Sequence, residues 1–199
     1  SGPYRTLTVS LDAASGQNVT VPFVVSGTAA NPADMDLASG SAVVTAGSTS
    51  VDISFTIVDD TIDEADETVI LTMGAPTNAT LGTNTVHTHT VTDNDAAPVV
   101  VFSAASQAVS ESSGTVNVTV NVTGTTSASI ISVPYVVSGD AANPADHDLA
   151  SGTLNIPAGA PSAQISFTLV DDLISEATET VILTMGTVTN ATKGATVVH

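Results

Sequence analysis

Short runs rich in Val, Ile and Thr recur along this chain, and several alternate apolar with polar residues. Thr6–Leu11, Val19–Val25, Val51–Val58, Thr68–Met73 and Thr85–Thr92 are such runs. A period of two sends successive side chains to opposite faces, so each run predicts a strand with one buried face. Gly, Asn, Asp and Pro punctuate the runs, as turns require. No window carries the spacing of an amphipathic helix. Short antiparallel strands at even spacing point to a β-sandwich.

The pattern then repeats. Pro22–His87 realigns onto Pro134–His199 without a gap, with about two-thirds of positions identical. Ala29–Asp34 returns as Ala141–Asp146, and Glu67–Gly74 returns as Glu179–Gly186. A repeat this long is a whole domain, so the chain reads as an array and not as one fold around one active site. The second copy predicts seven strands: Val99–Val109, Thr115–Val122, Ile130–Val137, Gly152–Ile156, Ala163–Val170, Glu179–Met185 and the start of a last one at Thr196–Val198. The first copy begins at the second of these and runs to Asp93-Asn94-Asp95. The expected domains are therefore 1–95 and 99–199, each short of one strand or part of one, with a Pro-stiffened linker at 96–98.

Composition sharpens this picture in three ways. Aromatic residues make up only 3% of the chain, so its cores must be built from Val, Ile, Leu and Ala. There is no cysteine, and a small extracellular domain without disulfides needs another staple, for which bound metal is available. Twenty Asp and Glu face two Lys and Arg, a formal net charge of −18. Such a field repels nucleic acid and anionic membrane and attracts cations. No apolar run reaches the roughly 20 residues of a membrane helix.

The carboxylates recur at fixed places. In a seven-stranded antiparallel sandwich, the turns after the first, third and fifth strands lie at one pole, where the seventh strand also ends. Glu111 falls in the first of these turns and Asp34 and Asp146 in the second. Asp59, Asp60, Asp171 and Asp172, with Glu64 and Glu176, fall in the third, and Asp93 and Asp95 follow the last strand. Strand order alone thus gathers residues distant in sequence. Neighbouring carboxylates repel unless something neutralises them. Oxygen ligands on flexible loops without thiols suit Ca²⁺. The bland alternative, carboxylates that cap loops through Asx-type hydrogen bonds, explains a lone Asp better than a converging set.

The strings Val58–Thr68, Asp93-Asn94-Asp95 and Val109–Gly114, with the Ala-Gly before the fifth strand, resemble the Calx-beta domain. That resemblance covers nearly the whole chain. It implies an all-β fold of tandem immunoglobulin-like antiparallel sandwiches. It also implies calcium ligands at Asp34, Asp59, Asp60, Glu64, Asp93 and Asp95 in the first copy, and at Glu111, Asp146, Asp171, Asp172 and Glu176 in the second. Glu67 and Glu179, at the start of a strand, are weaker candidates, as are Asp36 and Asp148. The aromatic that follows the Asp of the third-to-fourth-strand loop in this family is replaced by Met35 and His147.

Other motifs carry less. His87 and His89 share one face of a strand with no evident acidic partner, and His147 exchanges with Met35 between copies, which fits packing better than ligation. Five Asn-x-Thr triplets, at Asn18, Asn78, Asn117, Asn121 and Asn190, are expected by chance in so Asn- and Thr-rich a chain. No phosphate loop, nucleophile elbow or zinc spacing appears, so no enzyme is expected. The sequence therefore predicts a secreted, calcium-binding structural repeat of an extracellular, bacterial adhesin or surface protein. Ca²⁺ is its cofactor and neighbouring repeats are its partners. Calcium would stiffen the loops and junctions of a spacer. An open sheet edge in the first copy also predicts strand exchange or head-to-tail pairing between chains. The alternative is a calcium-dependent module recognising carbohydrate or protein, which the scarcity of aromatics disfavours.

Overall fold

A computed structural model of the protein describes residues 4–199. Its strands are β1 (Tyr4–Ser10), β2 (Val19–Gly27), β3 (Gly40–Val44), β4 (Ser50–Thr56), β5 (Ile62–Asp63), β6 (Glu67–Met73), β7 (Val86–Val91) and β8 (Val99–Phe102). They continue as β9 (Thr115–Thr123), β10 (Thr126–Ser127), β11 (Ile131–Gly139), β12 (Gly152–Ile156), β13 (Ser162–Thr168), β14 (Val181–Met185) and β15 (Thr192–Lys193). Among the described residues the one short helical turn is Glu111–Ser113. Among the described residues no helix is long and apolar enough to cross a membrane.

The chain divides into two compact units. The first runs to Asp60 and resumes over Ala65–Asp93; the second holds Asn94–His199 together with Thr61–Glu64, whose β5 pairs in parallel with β10. In the first unit one sheet has the order β3-β2-β6-β7 and the other pairs β1 with β4. In the second unit the sheets are β12-β11-β14 and β13-β9-β8-β15. Alternation does what period two demands. On β4, Ile53 and Phe55 are buried while Asp52 and Ser54 are exposed, and on β13 Ile165 and Phe167 repeat the arrangement.

Each unit has its own core. Val9, Val19, Val21, Ile53, Phe55, Val69 and Leu71 anchor the first, and Val100, Phe102, Val118, Val120, Ile131, Ile165 and Leu183 the second. A core of β-branched residues suits the pleated faces, where such side chains pack well.

Two strand expectations differ from the structure. The run Val99–Val109 forms a strand only as far as Phe102, because Ser103–Ser110 lacks apolar alternation and is exposed throughout. The run Thr196–Val198 makes only an isolated bridge, Thr184 to Val198. Its backbone nonetheless joins both neighbours: Phe102 N–H donates to Thr196 O, Met185 N–H to Val197 O and Leu183 N–H to His199 O. Just upstream, β15 pairs in parallel with β8.

The glycines that end β2 and β11 control the approach to the loops that follow. Gly27 and Gly139 have φ of +119° and +123°, a region side chains disfavour. A Cβ there would lie 2.1 Å from Thr68 O and 2.0 Å from Thr180 O. This contact lets Thr28 and Ala29 N–H donate to Thr68 O in the first unit, and Ala141 N–H to Thr180 O in the second. Gly159 also has positive φ (+71°), but open space where its Cβ would be. We predict that Gly139→Ala destabilises the second unit by more than Gly159→Ala. Gly159→Ala should cost only backbone strain of about 1–3 kcal/mol; urea unfolding of each variant measures the difference.

Candidate metal centre

The loop after each of these glycines folds back on itself around one aspartate. In the second unit Asp146 N–H donates to Ala142 O (2.7 Å), Val170 N–H donates to Asp146 O (2.9 Å), and Ala142 N–H donates to Asp146 Oδ2. In the first unit Asp34 makes the same three bonds with Ala30 and Val58. Both loops contain a cis Asn-Pro bond, at Asn31-Pro32 and Asn143-Pro144. The Asn31 and Asn143 amides donate to Leu37 O and Leu149 O. Each aspartate is therefore held by its backbone on both sides, with one carboxylate oxygen turned onto its own loop.

The aspartate meets glutamate in each copy. In the second unit Asp146, Glu176 and Glu179 place one carboxylate oxygen each within 4.8 Å of one another. In the first copy Asp34 and Glu67 hold the corresponding positions at the same spacing. Asp146 is half-buried whereas Glu176 and Glu179 are exposed; Asp34, Glu64 and Glu67 are all half-buried.

Charges accumulate around the second group. The Glu176 carboxyl is pushed above its ordinary value of 4.5 by loss of hydration and then by the negative charges of Asp146, Asp172 and Glu111. Glu179 is likewise raised, by loss of hydration, by the charge of Asp146 and a hydrogen bond to it, and by Glu176 and Asp140. Proton retention is the expected response of a carboxylate crowded by like charges.

Of the other expected ligands, Glu111 and Asp172 act on the second group through their charge. Glu111 opens the short helical turn and acts on Glu176 through its charge. Asp172 does the same while its Oδ1 accepts from Ile174 N–H (2.6 Å) in an Asx turn. Asp171, Asp59 and Asp60 are exposed, and Asp93 and Asp95 half-buried. Asp93 N–H donates to Asp66 Oδ1 (3.1 Å), which ties the acidic run after β7 to the loop before β6. Asp36 and Asp148 each accept a backbone N–H, from Thr56 and Thr168, at 2.7 Å; these bonds fix the loop edge.

Sequence reasoning ranked one pair of residues low and missed another residue. Glu67 and Glu179 stand in the triads, although a strand start argues equally for backbone pairing. Asp140 had no candidate role, yet its Oδ1 accepts both Thr180 N–H and Thr180 Oγ1–H at 2.6 Å. Those bonds hold its carboxyl below its ordinary value. Its counterpart Thr28 accepts Thr68 N–H through its hydroxyl (2.9 Å), so the repeat preserves the acceptor and only the second copy adds a charge. The signal was the Thr28-to-Asp140 exchange between copies.

The histidines play other parts. His147 is buried, accepts Leu149 N–H at Nδ1 (3.1 Å) and meets Phe167 edge-on at 6.1 Å. Met35 accepts Leu37 N–H through its sulfur in the same place. His89 accepts from Arg5 Nε (3.2 Å) and packs edge-on to Phe55. Partial burial, then the charges of Arg5 and His87, lower its pKa.

The donor set fits a hard divalent cation. Oxygens on one Ca²⁺ at 2.3–2.6 Å are separated by at most about 5 Å, so three carboxylate oxygens within 4.8 Å can share an ion. Anionic oxygens with no thiol or imidazole in either group favour Ca²⁺ over softer metals.

The raised carboxyls fix a pH dependence. The folded state binds protons at Glu176 and Glu179 more tightly than the unfolded chain, so without metal their contribution to stability improves as pH falls from neutrality toward the carboxylate range. Asp140 acts oppositely: its contribution is present above its ordinary value of 3.8 and is lost as pH falls through its lowered value,. We predict a metal-free melting temperature that rises on acidification from pH 7, passes a maximum and then falls. Glu179→Gln should flatten the rising limb in calorimetry across pH.

Comparison with known proteins agrees with this architecture. The Calx-beta domain model matches residues 2–95 and again 93–198. No curated protein matches the chain. Among solved structures, the crystal structure of CBD12 from CALX1.2 is similar at 20% identity over 93% of this chain and 74% of that one, with a TM-score of 0.43. The apo-form Calx CBD1 domain is similar at 20% identity over 51% of this chain and 90% of that one, with a TM-score of 0.45. Two consecutive matches account for nearly every residue, and the chain belongs to the Calx-beta family as two tandem domains.

Proposed function

We propose that each domain is a calcium-binding structural repeat of an extracellular adhesin or surface protein, and that the array works as a cation-stiffened spacer. The observation that carries this reading is the recurrence of one carboxylate pairing, Asp34 with Glu67 and then Asp146 with Glu179, the latter joined by Glu176, at equivalent places in both copies.

Asp146, Glu176 and Glu179 would hold the ion in the second copy, with Glu111, Asp171 and Asp172 adding charge around it. Asp34 and Glu67 would do so in the first, with Asp59, Asp60, Glu64, Asp93 and Asp95. A bound divalent cation supplies the positive charge that these loops lack. The protein's own part is orientation. Backbone bonds hold Asp34 and Asp146, so the carboxylates need little rearrangement on binding, and preorganisation lowers the cost of association. Asp93 and Asp95 directly precede Ala96-Ala97-Pro98, so a cation that draws on them also orders the segment joining the copies. Nothing in this role calls for catalysis.

The mechanism is linkage: an ion that binds only the folded form stabilises it by mass action. Extracellular modules bind Ca²⁺ with dissociation constants of about 10⁻⁴–10⁻³ M. At 10 mM Ca²⁺ this corresponds to about 1.4–2.7 kcal/mol, or about 5–20 °C for a domain near 100 residues. We predict a melting temperature that rises by this amount in Ca²⁺ relative to EDTA, and much less in equal Mg²⁺. Asp146→Asn with Glu176→Gln should abolish the shift of the second domain alone. Identical melts in EDTA, Mg²⁺ and Ca²⁺ would remove the calcium mechanism and leave the sandwich array standing.

A further inference from the structure

The two copies build the same corner from residues of different charge. Thr28 of the first realigns with Asp140 of the second. Each follows the glycine, Gly27 or Gly139, whose missing side chain lets the loop lie against Thr68 or Thr180. Thr28 accepts Thr68 N–H through its hydroxyl at 2.9 Å, and Asp140 accepts Thr180 N–H through Oδ1 at 2.6 Å. A neutral hydroxyl therefore suffices to hold this corner of the fold. The charge on Asp140 is an addition that the backbone does not require.

That charge is fixed beside the carboxylates of the second domain. Asp140 Oδ1 also accepts Thr180 Oγ1–H at 2.6 Å, so two donors pin one oxygen. The same bonds hold the Asp140 carboxyl below its ordinary value of 3.8, and it is ionised at neutral pH. Thr180 directly follows Glu179, and Glu179 feels the negative charge of Asp140. Yet the oxygens gathered within 4.8 Å of one another belong to Asp146, Glu176 and Glu179, and Asp140 is outside that group. Such a charge adds repulsion among the carboxylates of the metal-free protein, and attraction once a divalent cation sits among them.

We infer that Asp140 strengthens cation binding by the second domain without ligating the ion, as a fixed negative charge behind Glu179. The inference rests on the calcium reading of that site and adds to it a residue that sets affinity from outside the ligands. A solvated unit charge one residue's width from a divalent ion changes its affinity roughly three- to tenfold. Salt distinguishes this role from ligation. The screening length falls from about 30 Å at 0.01 M salt to about 3 Å at 1 M, and contacts at ligand distance are screened far less. The loops also differ at Asp63 and Asp66, which are Ser175 and Thr178 in the second copy. Each domain is therefore compared with its own variant and not with the other copy.

The test titrates the full isotope-labelled chain with CaCl₂ and follows backbone amides by NMR, at low ionic strength and again in KCl near 1 M. Ala142 and Asp146 report on the second domain, and Ala30 and Asp34 on the first. Asp140→Thr installs the residue that the first copy uses, and Asp140→Asn keeps the Oδ1 acceptor while removing the charge. Both should raise the calcium dissociation constant of the second domain roughly three- to tenfold at low salt. The ratio to the unaltered chain should shrink toward one in high salt, with the first domain unchanged throughout. Thr28→Asp should tighten the first domain by a similar factor, a gain that a merely structural role for Asp140 does not produce. Calcium binding of unchanged affinity in both Asp140 variants overturns the inference alone. A ratio undiminished by salt makes Asp140 a direct ligand and overturns it as well. If neither domain of the unaltered chain binds calcium saturably, the calcium reading falls and the inference falls with it.

Discussion

The close approach of two backbones, at Gly139 against Thr180 and at Gly27 against Thr68, is the constraint on which the acidic ends of both domains depend. Glu179 and Glu67 stand immediately before those threonines. Docking the loop onto Thr180 O and Thr68 O therefore brings Asp146 to Glu179 and Asp34 to Glu67. Neither pairing is encoded by local sequence. It arises because a strand end without a side chain lets the following loop lie against the start of a strand far along the chain.

Once the loops are docked, electrostatics takes over. Backbone N–H groups neutralise part of the charge on Asp34 and Asp146, and Thr180 does so for Asp140. Glu176 and Glu179 respond instead by holding their protons more tightly. A fold that merely needed acidic loops for solubility would spread such charges apart. Here the same loop geometry assembles them twice, and the chain has two basic residues in all to set against them. A cation from solution is the available counter-charge, which is why the carboxylate spacing and the proposed spacer role belong together.

Much of the fold was legible in the sequence because a sandwich strand announces itself by period two, and because a second copy checks each reading of the first. Strand order alone brought Asp34 and Asp146 to the loops of the acidic ends. What could not be read was where one carboxylate stands relative to another within those loops. Glu67 and Glu179 looked like strand residues, and Glu67 does open β6, whereas Glu179 lies two residues ahead of β14. Asp140 was hidden because its partner is a threonine forty residues away. The run Val99–Val109 looked like one strand on composition, but its second half has no apolar face to bury, and only Val99–Phe102 enters the sheet. Met35 and His147 behave alike because a sulfur and an imidazole nitrogen can accept the same backbone N–H.

The central claim is that each acidic group holds a cation, and a crystal of the protein grown with Ca²⁺ tests it most directly through anomalous scattering. The account predicts a peak in each domain within about 2.3–2.6 Å of carboxylate oxygens, bounded by Asp34 and Glu67 in the first and by Asp146, Glu176 and Glu179 in the second. Density for water alone among those carboxylates at millimolar Ca²⁺, with the side chains turned apart into solvent, would contradict it.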